Sequence, residues 1–154
     1  MERRWLGWGE TIMGTAMYDA LDDMLSLLKT KWGTTAKAGT FPEIKIIWDR
    51  KVVGLANYTQ DTILLSPKRE NVEYFGLYGS DFLHHVDIQI ECWTYMSQDR
   101  LNHLVKEVTK IIKDNIRRTN FVDLMITGSL SQSDTYRHIW KHVIIAKYRK
   151  LNPS

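Results

Sequence analysis

The sequence predicts an α+β domain in which a mixed or antiparallel sheet packs against two helices, in the order α-β-β-β-α-β-β. Two stretches repeat apolar residues at spacings of three and four, which is the pattern of one face of a helix. Another stretch alternates strictly between apolar and polar residues, and several shorter runs are rich in β-branched residues. These patterns predict strands.

The first helix is predicted from about Thr11 to Trp32, and Gly33 ends it. Its apolar face consists of Met13, Met17, Leu21, Met24, Leu28 and Trp32. Short strands are predicted at Glu43 to Asp49 and at Asp61 to Ser66. The segment 67–80 begins with proline, mixes charged and aromatic residues, and contains two glycines. It is predicted to be a long loop.

The clearest strand is predicted from Asp81 to Met96. Its apolar side comprises Val86, Ile88, Ile90 and Cys92, and its polar side comprises Asp87, Gln89 and Glu91. The alternation predicts one buried and one solvated face, with His84 and His85 on opposite faces.

Ser97 then provides a predicted N-cap, and Asp99 lies in the first turn, where the helix dipole favours an anion. The second helix ends near Arg117 and Arg118. Its apolar positions are Leu101, Leu104, Val105, Val108, Ile111, Ile112 and Ile116. Two further strands, 121–127 and 139–148, are joined by a polar loop, which favours an antiparallel pair.

Length and composition are those of one globular domain. The chain has 154 residues, a formal charge of +3 and one cysteine, so no internal disulfide can form. We expect an N-terminal arm at 1–10 and a single domain at 11–150. No stretch approaches the roughly 20 apolar residues of a membrane span, so no membrane partner is expected.

The residues that could carry chemistry do not form a convincing catalytic or metal site. His138 and His142 are four apart, but in a strand this separates them by about 13 Å, too far to share a metal ion. Glu43 and Lys45 match half of a metal-dependent nuclease site, without the carboxylate on a preceding strand that such a site needs. Cys92 lies on an apolar strand face. We therefore expect no catalysis, no metal and no cofactor, and keep a nuclease as a third hypothesis.

A basic stripe and a set of aromatic residues are the candidates for binding. Lys106, Lys110, Lys113 and Arg117 follow one another on the second helix, as a surface for phosphates or as an ordinary solvated face. The aromatic residues outside the predicted elements are Trp5, Trp8, Tyr74, Phe75 and Tyr78. They are candidates for a subunit interface, since aromatic residues are enriched there, or they fold back onto the core.

The order of elements, with the run from Val86 to Asp99 leading from an alternating strand into a capped helix, resembles the tail-terminator and tail-completion (neck) proteins of tailed viruses. The resemblance covers roughly residues 12–148 in layout. It implies a ring, typically of six subunits, that closes the tail tube, contacts the tail tube protein and the head-tail connector, and resides in the virion after assembly in the host cytoplasm.

Under this resemblance the aromatic residues would lie at subunit interfaces. The four basic residues of the second helix would face the lumen or a partner, with a passing contact to DNA. The alternative is a small nucleic-acid-binding domain that uses this helix.

Overall fold

A computed structural model describes residues 15–33, 41–48, 61–76, 81–134, 136 and 138–151. The predicted element order and the α+β class are confirmed. The elements are α1 (Thr15–Lys31), β1 (Glu43–Ile46), β2 (Thr62–Phe75), β3 (Asp81–Thr94), α2 (Gln98–Asp114), β4 (Asp123–Ser131) and β5 (Trp140–Leu151). Residues 1–10, predicted as an arm, lie outside the described residues.

The strands form one mixed sheet with the order β1-β2-β3-β5-β4. The β1 strand pairs with β2 in parallel, and every other neighbouring pair is antiparallel. The predicted antiparallel pairing of the last two strands is confirmed. Strand β3 lies at the centre because β2 pairs along one side of it and β5 along the other.

Both helices pack on the same face of the sheet and bury one core. The α1 helix lies over β1, β2 and β3, and α2 lies over β3, β5 and β4. The core side of β3 consists of Val86, Ile88, Ile90 and Cys92, as the alternation predicts. Burying apolar residues contributes roughly 25 cal/mol per Å² and is the main force that holds the layers together.

The predicted N-cap of α2 is confirmed. Ser97 has an extended backbone, and its hydroxyl oxygen accepts a hydrogen bond from the Arg100 amide at 3.1 Å. Asp99 lies in the first turn, as predicted. The helix ends at Asp114, earlier than expected, and the Asn115 amide donates to the Ile112 carbonyl at the end.

The prediction of a long loop at 67–80 is wrong for most of its length. Residues up to Phe75 belong to β2, which pairs with β3 as far as Asp81. Every residue from Asn71 to Tyr74 is exposed, so this distal part faces no core, and its alternation of polar Asn71 and Glu73 with apolar Val72 and Tyr74 covers only four residues. A bulge between Pro67 and Arg69 further disturbs the pattern. Residues 77–80 lie outside the described part.

The prediction that β3 has one solvated face is also wrong in part. Asp87 and Glu91 are buried on the face opposite the helices. Glu91 accepts hydrogen bonds from the Trp93 indole at 3.0 Å and the Gln89 amide at 2.7 Å. These partners, together with Lys141 at 3.6 Å, compensate for the loss of solvent around the carboxylate. A small apolar cluster, separate from the main core, lies beside the Glu91 carboxylate and consists of Ile47, Leu64 and Trp93.

Candidate assembly surfaces

The distal part of the β2–β3 hairpin lies beyond the pairing of β2 with β1. It contains Tyr74, one of the predicted interface residues. Tyr74 is 69% exposed, and its ring lies 5.9 Å from that of Phe82. Phe75 is the last residue of β2. Trp5, Trp8 and Tyr78, the other predicted interface residues, lie outside the described residues.

Three side-chain pairs join β2 to β3 along this hairpin. Arg69 donates to Asp87 at 3.1 Å, Glu70 lies 2.7 Å from His84, and Glu73 lies 2.9 Å from His85. Because they hold the two strands together on both faces, the hairpin is a defined surface and not a loop. Sequence reasoning alone could not reach this conclusion, since His84 and His85 give no sign of their partners.

The basic stripe is exposed, as its helical spacing predicts. Lys106, Lys110, Lys113 and Arg117 are all on the surface, the first three on α2 and Arg117 just after it. Lys110 donates to Asp114 at 2.6 Å, which raises the pKa of Lys110. The other three form no ion pair with any residue that the structure describes. They are the cations available to an anionic partner.

A shallow cleft of about 360 Å³ lies beside α2, between that helix and β5. His103, Lys106 and His142 line part of it. His142 lies close to the Ser129 hydroxyl, and burial lowers the pKa of His142. His142 in its neutral form adds no charge to the cleft, whose lining also includes the Asp99 carboxylate and the Lys106 ammonium.

The residues considered as catalytic or metal-binding candidates lie apart from one another or contact other side chains. His138 lies in the turn before β5 with its ring 6.0 Å from that of Trp140, and His142 has Ser129 as its partner instead. Glu43 and Lys45 approach each other to 3.6 Å at the surface. In the described part of the chain, no three His, Cys, Asp or Glu side chains come together to hold a metal ion.

Cys92 is enclosed in the core. Burial, with a smaller contribution from the charge of Glu91, raises the pKa of its thiol far above the usual value. A thiol that stays protonated is a poor nucleophile. No helix in the described ranges is long and apolar enough to cross a membrane.

A hydrogen-bond network centred on Asp23 could not be predicted from the sequence. Arg118 donates to both carboxylate oxygens of Asp23 at 2.8 and 3.0 Å, and the Tyr148 hydroxyl donates at 2.6 Å. These contacts fasten α1 to β5 and to the segment after α2. Asp23 and Tyr148 are 125 positions apart, so no local pattern could have indicated the contact.

The fold is similar to that of a chain in the solved structure described as "Virion of native gene transfer agent (GTA) particle". The TM-score is 0.62 at 14% sequence identity, and the likeness covers 90% of this chain and 100% of the other. At this identity the likeness concerns the fold. No family model and no curated protein matches the sequence.

Proposed function

We propose that this chain is a non-catalytic structural protein of a virus or virus-like particle. The observation that carries the proposal is the fold likeness to a chain of the gene transfer agent virion, which spans all of that chain and nearly all of this one. The surfaces of the described residues support the same function. They present an exposed hairpin and a basic helix, and in the described part of the chain no three His, Cys, Asp or Glu side chains come together to hold a metal ion.

The finer proposal is that copies of the chain form a ring, with six subunits as the expected number, that closes the tail tube. Its partners would be further copies of itself, the tail tube protein and the head-tail connector in the neck of the particle. Tyr74 would lie at a subunit interface. The unpaired residues of the basic stripe, Lys106, Lys113 and Arg117, would face the lumen or a partner, where DNA passes.

Light scattering over a concentration series, combined with negative-stain images of the same fractions, tests this proposal. The same images are recorded after the protein is mixed with tail tubes of its own particle. We expect closed rings, either free or at one end of the tubes. A chain that forms no ring alone and does not bind tube ends would overturn the tail-closing function.

The basic stripe favours a second candidate, a domain that binds nucleic acid through its phosphates. Such binding weakens steeply with salt, with a slope of about 0.9 for each phosphate neutralised on duplex DNA. The variant Lys106→Glu/Lys113→Glu should abolish it. The matched control is Lys29→Glu/Lys31→Glu, which changes the net charge equally at exposed positions of α1.

A salt titration of duplex DNA binding, followed by fluorescence anisotropy, measures the difference between the two double variants. Equal affinities for the two would mean that α2 is not the binding surface. No binding of the wild-type protein at low salt would remove the second candidate.

A further inference from the structure

The distal β2–β3 hairpin exposes apolar side chains on the face of the sheet that the helices cover elsewhere. Val86 belongs to the core beneath the helices, and side chains alternate along a strand, so His84 and Phe82 point to the same face. Val72 and Tyr74 are the register partners of these two residues and share that face. Val72 is 42% exposed, and Tyr74 is the more exposed of the two.

Helix α1 runs along β5 towards this end of the sheet. The Tyr148 hydroxyl donates to Asp23, and four residues earlier in the helix Asp19 accepts a hydrogen bond from Lys150 at 2.7 Å. Four residues of helix and two residues of strand each advance by about 6 Å, so the two contacts follow one line.

The described start of α1 lies level with the exposed part of the hairpin. Lys150 is the register partner of His84, and the pair of Phe82 with Tyr74 lies two residues further along the sheet. One more turn of α1 covers the same distance and reaches Thr15. The chain that precedes α1 therefore joins the fold beside the exposed apolar side chains.

Two more aromatic residues are exposed near the start of α1. Tyr18 lies in the first turn, and its ring is 4.8 Å from that of Trp48, with both side chains about half exposed. Exposed apolar groups concentrated at one place mark interaction sites. The name aromatic patch is used below for the set of Tyr18, Trp48, Val72 and Tyr74.

We propose that the N-terminal segment of the same chain, residues 1–14, docks on the aromatic patch through Trp5 and Trp8. This segment directly precedes α1 and lies outside the described residues. Trp8 precedes Thr15 by seven residues, which span at most about 24 Å when extended, so its indole can reach the patch. The apolar residues of the segment are Met1, Trp5, Leu6, Trp8, Ile12 and Met13.

Covalent attachment favours the segment of the same chain over that of a second copy. A short tether holds it at an effective concentration in the millimolar range, above the concentration of a second copy in dilute solution. The predicted interface residues Trp5, Trp8 and Tyr74 then belong to one surface of a single copy. The contact forms before any assembly, so the inference goes beyond the proposed ring and does not depend on it.

Trypsin cleavage of the full chain tests the docking, because Arg4 directly precedes Trp5. A protease must bind the residues on both sides of this bond, so docking of Trp5 protects it. The variant Val72→Ser/Tyr74→Ser removes apolar surface from the patch at exposed positions. Its bond after Arg4 should be cut about tenfold faster or more than in the wild type, since burial of one large side chain accounts for such a factor.

Met125→Ser/Leu130→Ser is the matched control, because it removes two exposed apolar side chains from β4, on the face opposite the helices. Mass spectrometry of the intact protein over time gives the rate of this cut in all three proteins. The control should be cut as slowly as the wild type. Equal rates in the wild type and in Val72→Ser/Tyr74→Ser would overturn the docking. Protection that disappears on dilution would place the segment on a second copy and overturn the contact within one chain.

Cross-linking provides a direct second measurement. The variant Trp8→Cys/Tyr74→Cys is treated with a short bismaleimide at low protein concentration, while the native Cys92 is buried. We expect a link within one chain, found by peptide mapping of the monomer, in clear excess over Trp8→Cys/Leu130→Cys. Equal yields from the two variants would overturn the proposal. A dimer as the main product, formed also when Trp8→Cys and Tyr74→Cys proteins are mixed, would overturn it in favour of exchange between copies.

Discussion

Replacing Asp23 by asparagine should destabilise the fold more than the same change at the other acidic positions of α1. The side chains of Asp23 and Arg118 are only about a fifth exposed, and Tyr148 is fully buried. Asparagine keeps the volume of the side chain but removes its charge. It also turns one acceptor into a donor that faces the Arg118 guanidinium.

The magnitude follows from the hydrogen bonds that are lost. A hydrogen bond to a charged group contributes about 1.5–3 kcal/mol, and a buried polar group left without a partner costs about 1–3 kcal/mol. The Tyr148 hydroxyl can still donate to the amide oxygen, so its bond is weakened and not lost. We therefore expect the free energy of unfolding to fall by about 2 kcal/mol.

Urea denaturation measures this loss as a shift of the midpoint at unchanged slope. The control is Asp22→Asn, the same change at the neighbouring position, which is exposed and has no hydrogen bond to a described residue. Its effect should stay within about 0.5 kcal/mol of zero. If Asp23→Asn were as mild as the control, the network would not fasten α1 to β5.

Three further predictions concern single side chains. Burial, with the charge of Asp23 adding to it, raises the pKa of Tyr148, so the folded state holds the phenolic proton more tightly than the unfolded state. This contribution is complete below about pH 10 and is lost above it, so wild type should lose up to ~1.4 kcal/mol per pH unit more than Tyr148→Phe in alkaline denaturation series. If the stability of both proteins depended on pH in the same way, the raised pKa of Tyr148 would be refuted. Ser97→Ala should cost about 1 kcal/mol in urea denaturation by removing the acceptor for the Arg100 amide, whereas Ser97→Asp should retain most of the stability. Cys92 should react with a thiol reagent only as fast as the protein opens, and rapid labelling of the native protein would contradict its burial.

The sequence predicts the elements wherever one face is buried. The spacing in α1 and α2 and the alternation in β3 reflect contact with the core, so both helices and the central strand can be predicted. The distal part of β2 escapes prediction because residues from Asn71 to Tyr74 have no core to face. A strand held by pairing alone leaves only a short alternation, here Val72 and Tyr74 between polar residues.

The candidate binding surfaces could likewise be predicted only in part from the sequence. The exposure of Lys106, Lys110 and Lys113 follows from helical spacing and was predicted. The sequence indicates the pair of Lys110 with Asp114 by its i,i+4 spacing, and the structure shows that Lys106 and Lys113 have no ion-pair partner among the described residues. The strands that lie at the edges of the described sheet cannot be predicted in this way, because strand order depends on contacts between distant segments.

Local sequence dictates which face of each helix and of β3 is apolar and where α2 begins, because these properties depend on residues within a few positions of one another. Tertiary packing selects which charged side chains find hydrogen-bond partners, as in the pairs of β2 with β3. It also selects which strands lie at the edges and how Asp23 meets Tyr148. Such contacts join segments far apart in the chain, and their partners are chosen when the layers pack, not by the local pattern of side chains.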